Sequence, residues 1–144
     1  AVFHGMSEGD ARAFMKNPYT MFASDSSVRE FNRGVPHPRG YGNAARFLGH
    51  YTRDQRQLKL EEAVRKLTDL PARTFQLKDR GRLQVGFAAD LVVFDPAKVR
   101  DNASFKRPHA YATGFRWVIV NGKVVVENDR HNGSGPGQII RHVQ

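Results

Sequence analysis

Apolar positions recur at helical spacing early in the chain and at strand spacing late in it. Ser7 precedes Ala11, Phe14 and Met15, with Asp10 three residues on, which predicts a capped helix over residues 7 to 17 ended by Pro18. Thr20-Met21-Phe22-Ala23 is a brief apolar run between Pro18 and Ser24-Asp25-Ser26-Ser27, the pattern of a buried strand. Helix, strand and polar turn make one step of an α/β fold. From Arg33 to Gly42, Pro and Gly are too frequent for regular structure, so a loop is expected. Asn43 is placed to cap a helix running to about Asp54, with Ala44, Phe47, Leu48 and Tyr51 on one face and Gly49 weakening it. Leu60, Ala63, Val64 and Leu67 predict another helix to about Leu70, with Pro71 just past its end.

Beyond Lys78 the period shifts toward two. Leu83 to Val85 and Asp90 to Asp95 read as short strands, the second stopped by Pro96, and residues 97 to 114 read as loop. The strongest local signal is Trp117 to Val120 and Lys123 to Val126 around Asn121-Gly122, because Asn-Gly supplies the two positive φ angles of a type I′ hairpin turn. After Asn128, the stretch Asn132-Gly133-Ser134-Gly135-Pro136-Gly137 predicts a mobile tail, with Ile139-Ile140 docking back. The expected organisation is an α/β part over residues 1 to 75, a small β unit over 76 to 127 that includes the 117 to 126 hairpin, and a flexible tail over 128 to 144.

Composition adds limits. The chain has 144 residues, 40% hydrophobic and 26% charged, which suits a folded domain. No apolar run approaches the ~18 residues of a membrane span. There is no cysteine, so disulfides, thiol nucleophiles and thiolate metal ligands are excluded, and the cytoplasm is the default compartment. The opening Ala1-Val2-Phe3-His4-Gly5-Met6 has neither an initiator Met nor a secretory layout, and reads as a chain entered in mid-course. A net charge of +9 raises nucleic-acid binding. The cations are dispersed, however, from Arg29 through Arg53 to Arg82, without a block or a recognition motif, which argues for a solvated basic surface instead.

Three residues carry candidate chemistry. Asp25 follows the apolar run Thr20 to Ala23, and α/β enzymes place catalytic groups just past the C-terminal ends of buried strands. The plainer account is that Asp25 shapes a turn with its neighbouring serines. His37 and Arg39 share the stiff Pro/Gly loop, where they could bind an anionic group or pair with a carboxylate, or belong to an ordered surface connection. The histidines His4, His50, His109, His131 and His142 show no metal-ligand spacing, so a self-contained metal site is not expected. Gly133 to Gly137 lacks both the Walker lysine and the spacing of a nucleophile elbow.

The order of these strings carries a resemblance. Met21-Phe22-Ala23-Ser24-Asp25-Ser26, then His37-Pro38-Arg39-Gly40-Tyr41-Gly42, then Ala45-Arg46-Phe47-Leu48-Gly49-His50-Tyr51, is similar to the last barrel strand, loop and helix of N-acyl-D-amino-acid deacylases (D-aminoacylases). Leu60 to Thr68 with Leu70-Pro71-Ala72-Arg73 resembles that family's next helix, although Lys59 stands where a Ser or Thr cap is frequent. Arg80 to Asp95 resembles the entry into the small β domain of amidohydrolases, and Val118 to Val125 its final hairpin.

The resemblance implies an α/β fold: the last strand and helices of a (β/α)8 amidohydrolase barrel, followed by part of a small β-sandwich domain. It implies hydrolysis of N-acyl-D-amino acids to a D-amino acid and a carboxylic acid, with zinc as the cofactor of the complete enzyme. Asp25 matches the aspartate that moves the proton and is a candidate metal ligand, the other ligands being absent from this chain. His37 and Arg39 match the substrate side of the loop, with Arg39 suited by charge to a substrate carboxylate. Such a barrel takes about 250 residues by itself, so the chain is expected to need the N-terminal barrel portion, in cis or as another chain. Alone it is expected to be inactive, to bind no zinc, and to self-associate through uncovered strand edges. Other readings are a non-catalytic binding or structural module derived from an amidohydrolase, and a hydantoinase-like or dihydroorotase-like branch.

Overall fold

Five helical elements precede a four-stranded sheet in the computed structural model, which describes residues 5–141. His4 and His142 lie outside the described residues, as does most of the opening string. Helix α1, Glu8–Lys16, starts as its sequence predicts. The Ser7 side chain accepts from the Asp10 amide, and the Asp10 carboxylate accepts from the Ser7 amide at 3.1 Å, so two free donors of the first turn are satisfied together.

The expected strand Thr20 to Ala23 does not form. The segment takes no regular structure and has no ladder partner, the strands among the described residues pairing in one sheet later in the chain. Its backbone is held instead by α3, Leu60–Leu67, through a bond from Phe22 N to Lys66 O at 3.2 Å. A segment becomes a strand only when a neighbour takes up its backbone groups.

The next helix begins earlier than expected. Helix α2 runs over Arg39–Arg46, so Asn43 is inside it rather than its cap. Pro38, with φ of −55°, is pre-organised for a helix start, and His37 receives the first amides: Gly40 N donates to its carbonyl at 3.0 Å and Arg39 N to its Nδ1 at 3.1 Å. The helix then widens into a π-helix over Phe47–Asp54, in which Gln55 N reaches back five residues to His50 O at 2.9 Å. Gly49 sits here because an added Cβ would lie 2.5 Å from Val99 O.

Helix α3 starts at Lys59 without a side-chain cap, and ends at Thr68. Pro71 does not follow the end of a longer helix. It falls in the first turn of a separate helix α4, Asp69–Thr74, where its missing N–H is not needed.

Strand β1, Leu91–Phe94, pairs antiparallel with β2, Phe115–Val120, which pairs with β3, Lys123–Glu127. Asn121 and Gly122 have φ of 47° and 76°, the type I′ geometry their sequence predicts. Leu83 to Val85 is not a strand, and Leu83 and Val85 are exposed. The stretch expected to be a mobile tail instead adds strand β4, Arg130–His131, through a second positive-φ turn at Asn128 and Asp129. Asn132 Nδ2 donates to Val124 O and Asn121 Nδ2 to Pro136 O, each at 2.8 Å, while Ile139 stays exposed rather than docking.

One core joins the helices to the sheet. Ala45, Phe47, Leu48, Ala63 and Val99 are buried together, with Phe22, Phe94 and Phe115 packed against them. Val99 comes from the loop over 97 to 114, which is tied by an isolated bridge between Arg100 and Thr113. Arg53 spans the joint: its Nη1 donates to the carbonyls of Pro96, Ala97 and Val99 at 3.2, 3.3 and 2.6 Å.

Candidate active site

The segment carrying Asp25 is suspended between two helices. Lys66 of α3 is buried, and its Nζ donates to the carbonyls of Asn17 and Thr20. Arg65 Nη2 donates to Pro18 O at 2.9 Å and its other donors hold Glu62. Burial pushes the Lys66 ammonium below its ordinary proton affinity, with Glu62 opposing that shift. The Arg65 hydrogen bond keeps the Glu62 carboxyl below its own ordinary value. Further along, the Phe22 ring stacks on Phe47 at 4.4 Å, and Asn43 Nδ2 of α2 donates to Ala23 O at 2.9 Å.

Asp25 then turns the backbone through the left-handed region, at φ of 47°. Aspartate is one of the few residues with a side chain that enter this region readily. Arg39 grips it twice: Nε donates to the Asp25 carbonyl at 2.9 Å, and Nη2 lies 2.7 Å from Oδ2. The Asp25 side chain is 86% exposed and that of Arg39 41%, so the ion pair by itself contributes at most about 1 kcal/mol. Its consequence is directional, since one planar fork holds the backbone and the carboxylate of the same residue.

His37 stands at the start of the same helix. Its Nδ1 accepts from Arg39 N, so in the neutral ring the proton sits on Nε2. The edge of the ring meets Phe105 at 5.0 Å. The structure thus brings together the three residues singled out in the sequence. His37 and Arg39 line a cleft of about 720 Å³, with Asn43 and Arg46 beside them and Phe22 and Phe47 as an apolar floor. The lining of that cleft includes Arg39 but not Asp25.

Residues not singled out from the sequence complete the wall. The Asp101 side chain is 11% exposed, accepts from Ala103 N at 2.9 Å and lies 3.8 Å from Arg46. Nothing in the spacing around Asp101 marks it, since its partners come from distant segments or from its own turn. His109, read as one of several scattered histidines, fastens the loop before α2. Asn32 N donates to its Nδ1 at 3.2 Å, which places the neutral ring's proton on Nε2, 2.9 Å from Gly34 O. Tyr41 Oη is 2.9 Å from the same Nδ1, and Phe31 stacks on Tyr111 at 4.8 Å alongside.

Zinc at a catalytic site takes three protein ligands as a rule. Among the described residues, no group of three or more His, Cys, Asp or Glu side chains is placed to hold a metal ion. Asp25, the one candidate ligand, has its carboxylate against a guanidinium. The donor set of the described residues therefore does not fit a zinc centre by itself. Among the same residues, no helix is long and apolar enough to cross a membrane.

Comparison with known proteins identifies the family. The chain is 41% identical to the D-aminoacylase of Alcaligenes xylosoxydans xylosoxydans over 140 residues, which is 97% of this chain and 28% of that relative. It is 41% identical to the N-acyl-D-glutamate deacylase of the same organism, over 98% of this chain and again 28% of the relative. A crystal structure of D-aminoacylase superposes with a TM-score of 0.82 at 43% identity, covering 90% of this chain and 27% of that one. The chain thus spans well under a third of the length of these proteins. The amidohydrolase family profile matches residues 7–126, the stretch that contains α1, the Asp25 segment, α2 and the hairpin. By sequence along nearly its whole length and by fold, this chain belongs to the amidohydrolase family.

Proposed function

We propose that this chain is one part of a zinc-dependent amidohydrolase that cleaves N-acyl-D-amino acids, and that Asp25 is its proton carrier. The observation behind the reading is that the D-aminoacylase likeness runs through the segment in which Asp25, His37 and Arg39 meet. Residues 1 to 75 are assigned to the closing part of a (β/α)8 barrel, residues 76 to 127 to a small β-sandwich domain, and 128 to 144 to the segment after it. The remaining barrel portion, in the same chain or in another, supplies what this part does not contain.

A solved N-acyl-D-glutamate deacylase from Bordetella bronchiseptica, 41% identical over 83% of this chain and 25% of its own length, with a TM-score of 0.77, holds zinc and a phosphonate mimic of the tetrahedral intermediate. Zinc held in a completed site would polarise a carbonyl and acidify water, with Asp25 the one candidate ligand that this chain would offer. The reaction adds water across the amide bond: the acyl carbon gains oxygen, the carbon–nitrogen bond breaks, and the products are a carboxylic acid and a D-amino acid. Asp25 takes the proton from the attacking water and passes it to the leaving nitrogen. His37 and Arg39, both in the wall of the cleft, form the side that faces the substrate.

The test is reconstitution. The 144-residue chain is mixed or co-expressed with the missing barrel portion of a D-aminoacylase-type relative and assayed on N-acyl-D-amino acids. Turnover is expected only in the reconstituted sample, and it should fall at least about 100-fold in Asp25→Asn. Zinc binding with turnover by the chain alone would overturn the assignment, and an inert reconstituted complex that folds would favour a non-catalytic module.

A further inference from the structure

Residues 22–27 have no strand neighbour among the described residues, yet Asp25 takes up a left-handed backbone at φ of 47°. One face of α2 holds it there. Asn43 donates to Ala23 O, Arg39 donates to Asp25 O and pairs with its carboxylate, and a Cβ on Gly40 would lie 2.8 Å from Ser26 Oγ. Positions 39 and 43 are one helical turn apart, and with Gly40 between them they address residues 25, 23 and 26. A sheet neighbour would fix this segment in the same way. Here the first two turns of a helix serve as the template.

We propose that Arg39 is the positioning residue of Asp25. Its guanidinium fixes the left-handed backbone and the direction of the carboxylate together, and so it acts on the reaction through Asp25 as well as from the cleft wall. Nε and Nη2 lie on one edge of a rigid plane, and they engage the carbonyl and the carboxylate of the same residue at 2.9 and 2.7 Å. That closes a ring through the Asp25 side chain and removes its rotational freedom. A lysine ammonium attracts the carboxylate as a point charge but does not impose this plane. Gly40 leaves room for the Ser26 hydroxyl, which a side chain there would push to another rotamer.

The inference rests on Asp25 as the proton carrier for its functional meaning, and its test reads the Asp25 backbone without turnover, so the two can fail separately. The 144-residue chain, labelled with ¹⁵N, is compared with Arg39→Met and Arg39→Lys by amide relaxation. The expected order parameter of Asp25 is about 0.85 in the native chain and below about 0.6 in Arg39→Met, with the amides of the β2–β3 hairpin unchanged. Arg39→Lys should recover part of that order at low salt and lose it at 1 M salt, where charges are screened within about 3 Å. An Asp25 as ordered in Arg39→Met as in the native chain overturns the proposal. Should Arg39→Met not fold, an Asp25 as ordered in Arg39→Lys at 1 M salt as in the native chain overturns it instead.

Discussion

Lys66 Nζ donates to the carbonyl oxygen of Thr20 at 3.0 Å from a residue that is only 1% exposed. A buried ammonium persists when its donors are taken up, and here Asn17 O shares it while Glu62 lies 3.7 Å away. This contact ties the segment leading to Asp25 to α3, 46 residues further along the chain.

Lys66→Met should therefore destabilise the protein. The methionine fills the space and removes the cost of burying a charge, but it takes the side-chain donor from Thr20 O, whereas Asn17 O keeps the Thr20 amide at 3.2 Å. A carbonyl that loses its donor costs about 1–3 kcal/mol, which outweighs the relief. A lower urea midpoint and faster exchange of the Phe22 amide are expected. An unchanged or raised midpoint would reject the role of Lys66.

Lys66 also predicts an alkaline trend. Burial holds its ammonium below the usual 10.5, with Glu62 opposing. The unfolded lysine then binds its proton more tightly than the folded one, so stability rises with pH from the folded value up to 10.5. The native chain should gain urea midpoint relative to Lys66→Met as pH rises toward 10.5, and parallel curves would refute the shift.

Acid should act through Asp69. Its Oδ1 accepts from Arg82 Nε and from Arg73 Nε at 3.0 Å, and these bonds, Arg82 first, hold the carboxyl below 3.8. The contribution is complete above 3.8 and is lost as pH falls through the lower folded value. Melting temperatures measured from about pH 6 to about pH 2 should fall less steeply in Asp69→Asn than in the native chain. Equal slopes would remove Asp69 from the account.

Gly122→Ala tests the hairpin. At φ of 76° a β-carbon is strained, so the change should cost roughly 1 kcal/mol, or about 3 °C in melting temperature for a chain of this size. Calorimetry showing no loss would mean the turn relaxes to another type at little cost.

Much of the local structure was legible in the sequence. The capping box of Ser7 and Asp10 and the Asn121-Gly122 turn act over two to four residues, so their chemistry is complete within a short string. Strand β1 was legible for a similar reason, as a compact apolar run closed by Pro96. The start of α2 was not legible: Arg33 to Gly42 reads as loop with Asn43 as the cap, and the part His37 plays in receiving the first amides shows only in the fold.

The rest depended on partners far away in the chain. Thr20 to Ala23 has the composition of a strand, but pairing decides a strand, and Phe22 meets Lys66 instead. The π-helix is not encoded by any apolar period; it lies where Gly49 meets Val99 and Arg53 reaches the carbonyls of 96 to 99. By itself the sequence determined the residue types at Asp25, His37 and Arg39, the local turns and caps, and the family resemblance. Only the tertiary structure decided that Arg39 grips Asp25 across 14 positions and that Asp101 comes to Arg46, because ion pairs and carbonyl contacts between distant segments follow from packing and leave no periodic trace.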